Sequence, residues 1–317
     1  MGTTSKSFQQ QGHISAGFAT VRASFQKICK GHFGSWLALA FLGGFLAVSA
    51  LAIAVFLPQL RWLAALLVLG YLIAAAVMIV AMLARMAGYV LDMAANVSLQ
   101  SQLKRVGFSA PDFFVDGGAG SPTLQLTLVK VLSLCKPSSI LELGSGQTTK
   151  ILAHYGRSNP SARILTIEES PDWHGRLSIA IAPPTNHEYH CSPLHASEVV
   201  LPNNRGVAST NWYRDGEALL SNRRFQLILV DGPTNYYRGD QFVPYSRSGL
   251  LPYLPSILAD SFVVLIDDTD NYGYLQTARA LRQSIVESGR SVRAFEVHGF
   301  KSQTVLCSPD LHFLQSV

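Results

Sequence analysis

Two uncharged apolar runs dominate the first third of the chain. Trp36–Leu57 and Trp62–Leu83 hold 22 residues each and no charged side chain. A helix that spans hydrocarbon needs about 20 such residues. The segment Pro58–Arg61, PQLR, joins the runs and is short enough for a tight turn. The pattern predicts an N-terminal transmembrane helical hairpin with Trp36 and Trp62 at the interfaces. A hairpin buried in a protein core would keep a polar face, and a signal peptide has an apolar core of about 7–15 residues and no second span. Lys6, Arg22, Lys27 and Lys30 precede the first run, Arg85, Lys104 and Arg105 follow the second, and the loop between holds only Arg61. An excess of basic residues marks the cytoplasmic side. The expectation is a multi-pass protein of the inner, cytoplasmic membrane with the rest of the chain in the cytoplasm.

From Ser121 onward the pattern changes. Leu124–Cys135 has helical spacing. Ser139–Leu143, Arg163–Ile167, His187–Cys191, Phe225–Val230 and Ser261–Ile266 read as short strands, with helices between them. Val292–Val297 and Ser302–Cys307, joined by the short HGFK, read as an antiparallel pair. Apolar strands that alternate with helices predict an α/β domain with a doubly wound, mostly parallel, seven-stranded sheet. The expected boundaries are a cytoplasmic arm at 1–35, the hairpin at 36–83, a linker helix and loop at 84–120 with turn chemistry at Gly107–Pro111 and Gly117–Pro122, and the α/β domain at 121–317.

Composition changes this picture little. Hydrophobic residues make up 48% and charged residues 14%, but the excess sits in the two runs. The net charge of +5 comes without a dense basic stripe, so no nucleic-acid partner is expected. Cys29, Cys135, Cys191 and Cys307 form no CxxC pair, which argues against a zinc finger or a disulfide framework.

Candidate chemistry sits at the strand ends, where such sheets bind ligands. ILELGSGQTTK (Ile140–Lys150) is a strand, a glycine turn and a helix start. Gly144 and Gly146 allow a sharp turn and close backbone approach, and the helix N-terminus offers free N–H groups. A dinucleotide site would have G-x-G-x-x-G, but Thr149 stands at the third position. Glu142 would repel a pyrophosphate and attract a cation. Glu168 ends the next strand, at a spacing suited to ribose hydroxyls. These features together want a ribose and a positively charged group.

The domain resembles a class I S-adenosylmethionine-dependent methyltransferase of the small-molecule O-methyltransferase type. LELGSGQTT resembles that family's first motif, LTIEES the second, FQLILVDGP the strand-four motif and FVVLIDDTD strand five. Trp212-Tyr213 and Arg247 stand where that subgroup has a W-Y pair and an arginine. The resemblance covers roughly residues 121–309 and implies a Rossmann-like fold with S-adenosyl-L-methionine as cofactor. It implies that Glu142, Gly144, Ser145, Gly146 and Gln147 line the methionine part, that Glu168 holds the ribose, that Ser192–His195 meets the adenine, and that Asp231 faces both cofactor and acceptor.

Methyl transfer is an in-line displacement at the sulfonium carbon, so the protein positions donor and acceptor and takes a proton. Asp231 and Asp267 are the candidate catalytic acids. Asp231 could instead cap the DGPTN loop. Some related catechol-type enzymes bind a divalent ion with an acid after strand four and an Asp-Asn after strand five, so the resemblance implies Asp231, Asp267 and Asp268 as an oxygen-ligand set that would suit Mg2+, though Asp-Asp stands in place of Asp-Asn here; the alternative is that Asp270 or Asn271 caps the next helix. His187, His190 and His195 with Cys191 look like a metal cluster, but His187 and His190 point to opposite faces of a strand. Arg247 and Tyr245, with Tyr236 and Tyr237, are candidates for an acceptor lid. The expectation is an anchored methyltransferase acting at the cytoplasmic face on an oxygen of a small-molecule or lipid-linked acceptor. The alternatives are a noncatalytic S-adenosylmethionine- or nucleotide-binding membrane protein and an NAD-type Rossmann enzyme.

Overall fold

The computed structural model describes residues 43–53, 55–105, 107, 120–202, 206–237 and 241–316. The chain forms two compact units, Met1–Ala84 and Arg85–Val317. In the first, helix α1 (Gly43–Ile53) is followed by a 3-10 turn at Pro58–Leu60 and by α2 (Arg61–Arg105). A side chain at Gly43 would collide with the Tyr71 ring, so α1 and α2 pack together there. Among the described residues one helix, Trp62–Arg105, is long and apolar enough to cross a membrane, and none of its most apolar stretch is buried. The described part of the first apolar run is shorter, and residues 36–42 of that run lie outside the described residues. The arm at 1–35 and most of the two expected turn segments lie outside them too.

The second unit is built on a seven-stranded sheet. Its strands are β1 (Ser139–Leu143), β2 (Arg163–Glu168), β3 (His187–Cys191), β6 (Phe225–Val230), β9 (Leu258–Ile266), β10 (Arg293–Val297) and β11 (Gln303–Cys307), in the order β10-β11-β9-β6-β1-β2-β3. The neighbours from β9 to β3 are parallel, and β11 is antiparallel to both β9 and β10. This is the expected doubly wound, mostly parallel sheet. The strand order reverses between β1 and β6, so the ligand crevice belongs at the carboxyl ends of those two strands.

Side chains alternate between the faces. Leu141, Leu143, Ile228, Val230, Val264 and Ile266 pack on one side with Leu281 and Ile285 of α7 (Tyr272–Glu287). Ile140, Leu227, Leu229 and Val263 pack on the other with α3 (Pro122–Cys135), α4 (Gln147–Ser158) and Leu99 and Leu103 of α2. Burying a Leu of this kind stabilises by about 1.5–3 kcal/mol. Residues 85–105 thus add part of the core of the second unit.

Local signals explain several boundaries. Ser121 caps α3 by accepting from Leu124 N, and Ser170 caps α5 (Pro171–Ile181) by accepting from Trp173 N. Both helices have Pro in the first turn, where its missing N–H costs nothing. An antiparallel hairpin, β4 (Leu194–Val200) with β5 (Val207–Tyr213), lies between β3 and α6 (Gly216–Leu220) and was not expected. It carries Trp212 and Tyr213 into the core, where glycine at 216 and 249 leaves room for the indole. A two-stranded ribbon of β7 (Tyr236–Tyr237) and β8 (Gln241–Phe242) follows β6.

Candidate active site

The β1 turn and the β6 turn meet backbone to backbone. Gly144 has φ +81°, and a Cβ there would lie 2.7 Å from Gly232 N. Glycine is required at Gly144 by conformation and by space. The contact is anchored where Asp231 N donates to Leu143 O at 2.9 Å. Thr149, where a dinucleotide motif has glycine, accepts from Gly146 N through its hydroxyl at 2.8 Å and tightens the start of α4.

Glu168 receives the turn. Its Oε2 accepts from Ser145 N at 2.9 Å and from Ser145 Oγ at 2.6 Å, and its Oε1 accepts from Ser170 N at 2.9 Å. Ser145 also contacts Tyr189 Oη at 2.8 Å, and Trp173 Nε1 donates to Ser145 O at 2.9 Å. A carboxylate offers about four lone-pair sites, so Oε1 keeps one for a ligand hydroxyl.

Glu142 is fully buried. Its carboxyl lies between Thr166 of β2 and the Thr148 and Thr149 hydroxyls at the start of α4. Thr166 Oγ1 donates to its Oε2 at 2.8 Å, and Thr166 in turn contacts His187 Nε2 at 2.8 Å. With the threonine proton committed, His187 Nε2 is the donor and Nδ1 the bare nitrogen, an assignment made from the network. Burial pushes Glu142 up to about 7, and it pulls His187 down to about 4. Oε1 of Glu142 and Oε1 of Gln147 have no hydrogen-bond partner of ordinary geometry among the described residues. Glu169, beside Glu168, is raised by burial and then by the Glu168 charge.

The β6 and β9 ends form the other half. Oxygens of Asp231, Asp267 and Asp268 lie within 4.8 Å of one another. Asp267 is fully buried, accepts from Gln303 Nε2 at 2.9 Å on Oδ1, and has no partner on Oδ2 among the described residues. Burial raises both Asp267 and Asp231. The charges of Asp231 and Asp268 raise Asp267 further, and Arg247 partly offsets the rise at Asp231. Asp268, in the left-handed region at φ 60°, stands between two cations. Its Oδ1 is 2.8 Å from Lys301 Nζ and its Oδ2 is 3.2 Å from Arg247 Nη2.

Several expected roles change. Arg247, expected in a lid, is only 3% exposed. It donates to the carbonyls of Asp267 (2.7 Å), Asp231 (2.9 Å) and Val230 (3.3 Å) and stacks on Tyr274 at 3.8 Å. It is a clamp on the ends of β6 and β9. Tyr245 packs against the hydrophobic core. The side chains of Tyr236 and Tyr237 lie outside the described residues. Asn271 caps α7 by accepting from Gly273 N at 3.0 Å, and Asp270 accepts from Ser302 N at 3.1 Å. His187 is buried and His190 exposed, as opposite faces require. The segment expected at the adenine splits: Ser192 is buried and accepts from Asp215 N at 2.9 Å, and His195 belongs to the β4–β5 hairpin. Cys135, Cys191 and Cys307 are free thiols.

Lys301 was missed. It sits in the β10–β11 turn, read from sequence only as a connector. The available signal was that β11 runs antiparallel to β9. Its start therefore lies at the carboxyl edge of the sheet. The magnesium expectation does not fit these residues, because Arg247 and Lys301 already bring positive charge against Asp231 and Asp268.

No family model matches the chain, and no curated protein matches it. Among solved structures, the chain is similar to an O-methyltransferase from Bacillus cereus in complex with SAH. Identity is 14%, coverage is 71% of this chain and 100% of that one, and the TM-score is 0.44. It is similar to an O-methyltransferase from Streptomyces achromogenes involved in tomaymycin synthesis, in complex with SAM, at 17% identity over 68% and 89% of the two chains with a TM-score of 0.38. It is also similar to an SAH-bound methyltransferase from Podospora anserina, at 16% identity over 67% and 86% with a TM-score of 0.37.

Proposed function

We propose that the chain is an S-adenosylmethionine-dependent methyltransferase that acts on an oxygen of a small-molecule or lipid-linked acceptor. The observation that carries this reading is the run of acceptor groups around the switch point. Among the described residues Gln147 Oε1 has no donor, and Glu168 Oε1 keeps a lone-pair site beyond its bond from Ser170 N. The neighbouring acids Glu168, Glu169 and Asp231 add negative potential. Such a set suits ribose hydroxyls, an ammonium and a sulfonium, and it disfavours a pyrophosphate. The cofactor would supply an electrophilic methyl group to an oxygen held in line.

The protein's own work is positional. Gly144 lets the β1 turn lie against the β6 turn, so ligands at the two strand ends are neighbours. Glu168 and the α4 N-terminus hold the adenosyl side. Asp231, partly exposed at the end of β6, takes the acceptor proton, and burial gives it the raised affinity that a general base uses. Arg247 fixes the height of Asp231 through the strand carbonyls.

The membrane assignment is part of the same proposal. The apolar part of α2, the packing of α1 on it at Gly43 and Tyr71, and the basic residues flanking both runs support a two-span anchor with a cytoplasmic catalytic unit. The Lys301 turn packs on the start of the second unit. Phe300 stacks on Tyr89 with centroids 4.2 Å apart, and the Arg85 guanidinium lies 5.7 Å from its ring. Arg85 comes two residues after the last apolar run. That placement favours an acceptor delivered at the membrane surface.

Calorimetry on the full chain in detergent micelles tests the reading. S-adenosylhomocysteine should bind with a Kd of about 1–10 μM, and Glu168→Ala should weaken it at least about tenfold. NAD should not bind. Saturable NAD binding without S-adenosylhomocysteine binding would sink the proposal.

A further inference from the structure

The acid cluster at the ends of β6 and β9 has the donor set of a divalent-ion site and is missing its vacancy. Three carboxylates converge within 4.8 Å. One of them, Asp267, is fully buried and keeps an oxygen, Oδ2, without a partner among the described residues. An acid set this tight needs positive charge inside it, because a buried carboxylate without a partner is costly. The charge present comes from side chains. Arg247 is buried and bridges Asp231 Oδ1 at 3.4 Å and Asp268 Oδ2 at 3.2 Å. Lys301 reaches in from the β10–β11 turn to Asp268 Oδ1 at 2.8 Å.

Two features make Lys301 a built part of the site. Its turn is held from several sides. Ser302 N donates to Asp270 Oδ1 at 3.1 Å, Thr269 N donates to Ser302 O at 2.8 Å, and a side chain at Gly299 would collide with Asp92 and Thr123. The next residue but one, Gln303, donates through Nε2 to Asp267 Oδ1. The same turn therefore supplies a cation to Asp268 and a neutral donor to Asp267. A lysine ammonium is a compact point charge on a flexible stem, the side chain best able to stand where a metal ion would.

We propose that Lys301, backed by Arg247, takes the place of a divalent ion among Asp231, Asp267 and Asp268, and that this site works without metal. The ammonium neutralises Asp268 and presents its remaining N–H donors on the side of Asp231, where an acceptor oxygen would dock. The docking clause rests on the proposed methyl transfer, and the occupancy of the ion's place does not.

Manganese(II) is the probe, with the full chain in micelles and binding read by electron paramagnetic resonance. The native protein should show no saturable site up to about 1 mM free Mn2+. Lys301→Ala should create one site at least about tenfold tighter, and Lys301→Ala/Asp267→Asn should lose it again. Lys301→Arg should behave as native. Lys301→Met, which keeps the apolar stem, replaces the alanine variant if that variant melts early. A native Mn2+ site abolished by Asp267→Asn overturns the proposal, and so does a folded lysine-free variant that gains no binding. S-adenosylhomocysteine affinity is not read, so failure of the methyltransferase reading leaves this result intact.

Discussion

The two halves of the site handle negative charge in opposite ways. At the β1–β2 ends, Glu142, Glu168 and Glu169 have hydroxyl and amide partners and no arginine or lysine in salt-bridge contact among the described residues. At the β6–β9 ends, Asp231 and Asp268 are paired with Arg247, and Asp268 also with Lys301. A half that lacks cations is completed by a ligand that brings one. A half that carries its own is ready for a neutral or anionic ligand. The asymmetry fits a reaction in which a positively charged donor meets an acceptor that loses a proton.

The largest effect should come from removing the cation of the paired half. Arg247→Met leaves Asp231 and Asp268 without their shared guanidinium and strips donors from three strand-end carbonyls. Breaking a buried pair on one side costs about 3–5 kcal/mol. For a unit of this size that is a fall of roughly 10 °C in the unfolding midpoint. Near-ultraviolet circular dichroism in micelles reads it. Lys301→Met, at a side chain 32% exposed, should cost less than about 1 kcal/mol. Equal losses would erase the distinction between a structural clamp and a placed cation.

A smaller effect tests the unpaired half. Glu142 is held up at about 7 from an ordinary 4.5 by burial. Between those values the folded protein keeps a proton that the unfolded chain has released, so this group's contribution to stability falls as pH rises through that window. The full shift corresponds to about 3 kcal/mol. Glu142→Gln has no proton to lose. The variant's stability relative to native should climb from near zero at about pH 4.5 to about 3 kcal/mol at pH 8 and then level off. His187, lowered to about 4, works in the opposite direction. Its neutral form is the folded one, so stability rises with pH from about 4 to 6.5, and the glutamine variant should expose that rise. Urea unfolding at a series of pH values measures both. A native-to-variant difference that does not change with pH would mean that Glu142 meets a cation after all.

Much of this was legible in the sequence where one residue's neighbours along the chain decide its place. The parallel strands were readable because Ser139–Leu143 and Phe225–Val230 are short, mostly apolar runs closed by turn residues, and a strand's end fixes where Glu168, Asp231 and Asp267 emerge. The caps at Ser170 and Asn271 were readable for the same local reason. The rest depended on partners far away. Arg247 lies in a loop where an arginine is ordinarily solvated, and only the convergence of three carbonyls from β6 and β9 makes its burial tolerable. Lys301 owes its position to the antiparallel return of β11. The β4–β5 hairpin mixes Ser, Thr, His and Glu with apolar residues, so its strand pattern is weak, and Trp212 becomes core only because Gly216 and Gly249 make space for it. Glu142 looked like a ligand-facing acid because it precedes the glycine turn by two residues. Its bond from Thr166 and the Thr166 contact with His187 depend on β2 and β3 lying beside β1.

The finest test of the unpaired half concerns Ser145. Its hydroxyl and its N–H both donate to Glu168 Oε2, at 2.6 and 2.9 Å. The turn therefore occupies an oxygen that the ribose of the proposed cofactor would use. A ligand that asks for both oxygens must displace the hydroxyl, and a neutral donor to a charged acceptor contributes about 1.5–3 kcal/mol. Ser145→Ala removes the competitor and keeps the backbone N–H. The variant should lose about 1 kcal/mol of stability while binding S-adenosylhomocysteine several-fold tighter, about fivefold for 1 kcal/mol of released competition. Calorimetry beside a thermal melt separates the two. If affinity and stability fall together, the Ser145 hydroxyl supports the pocket. If affinity rises as stability falls, the hydroxyl competes with the ligand for Glu168.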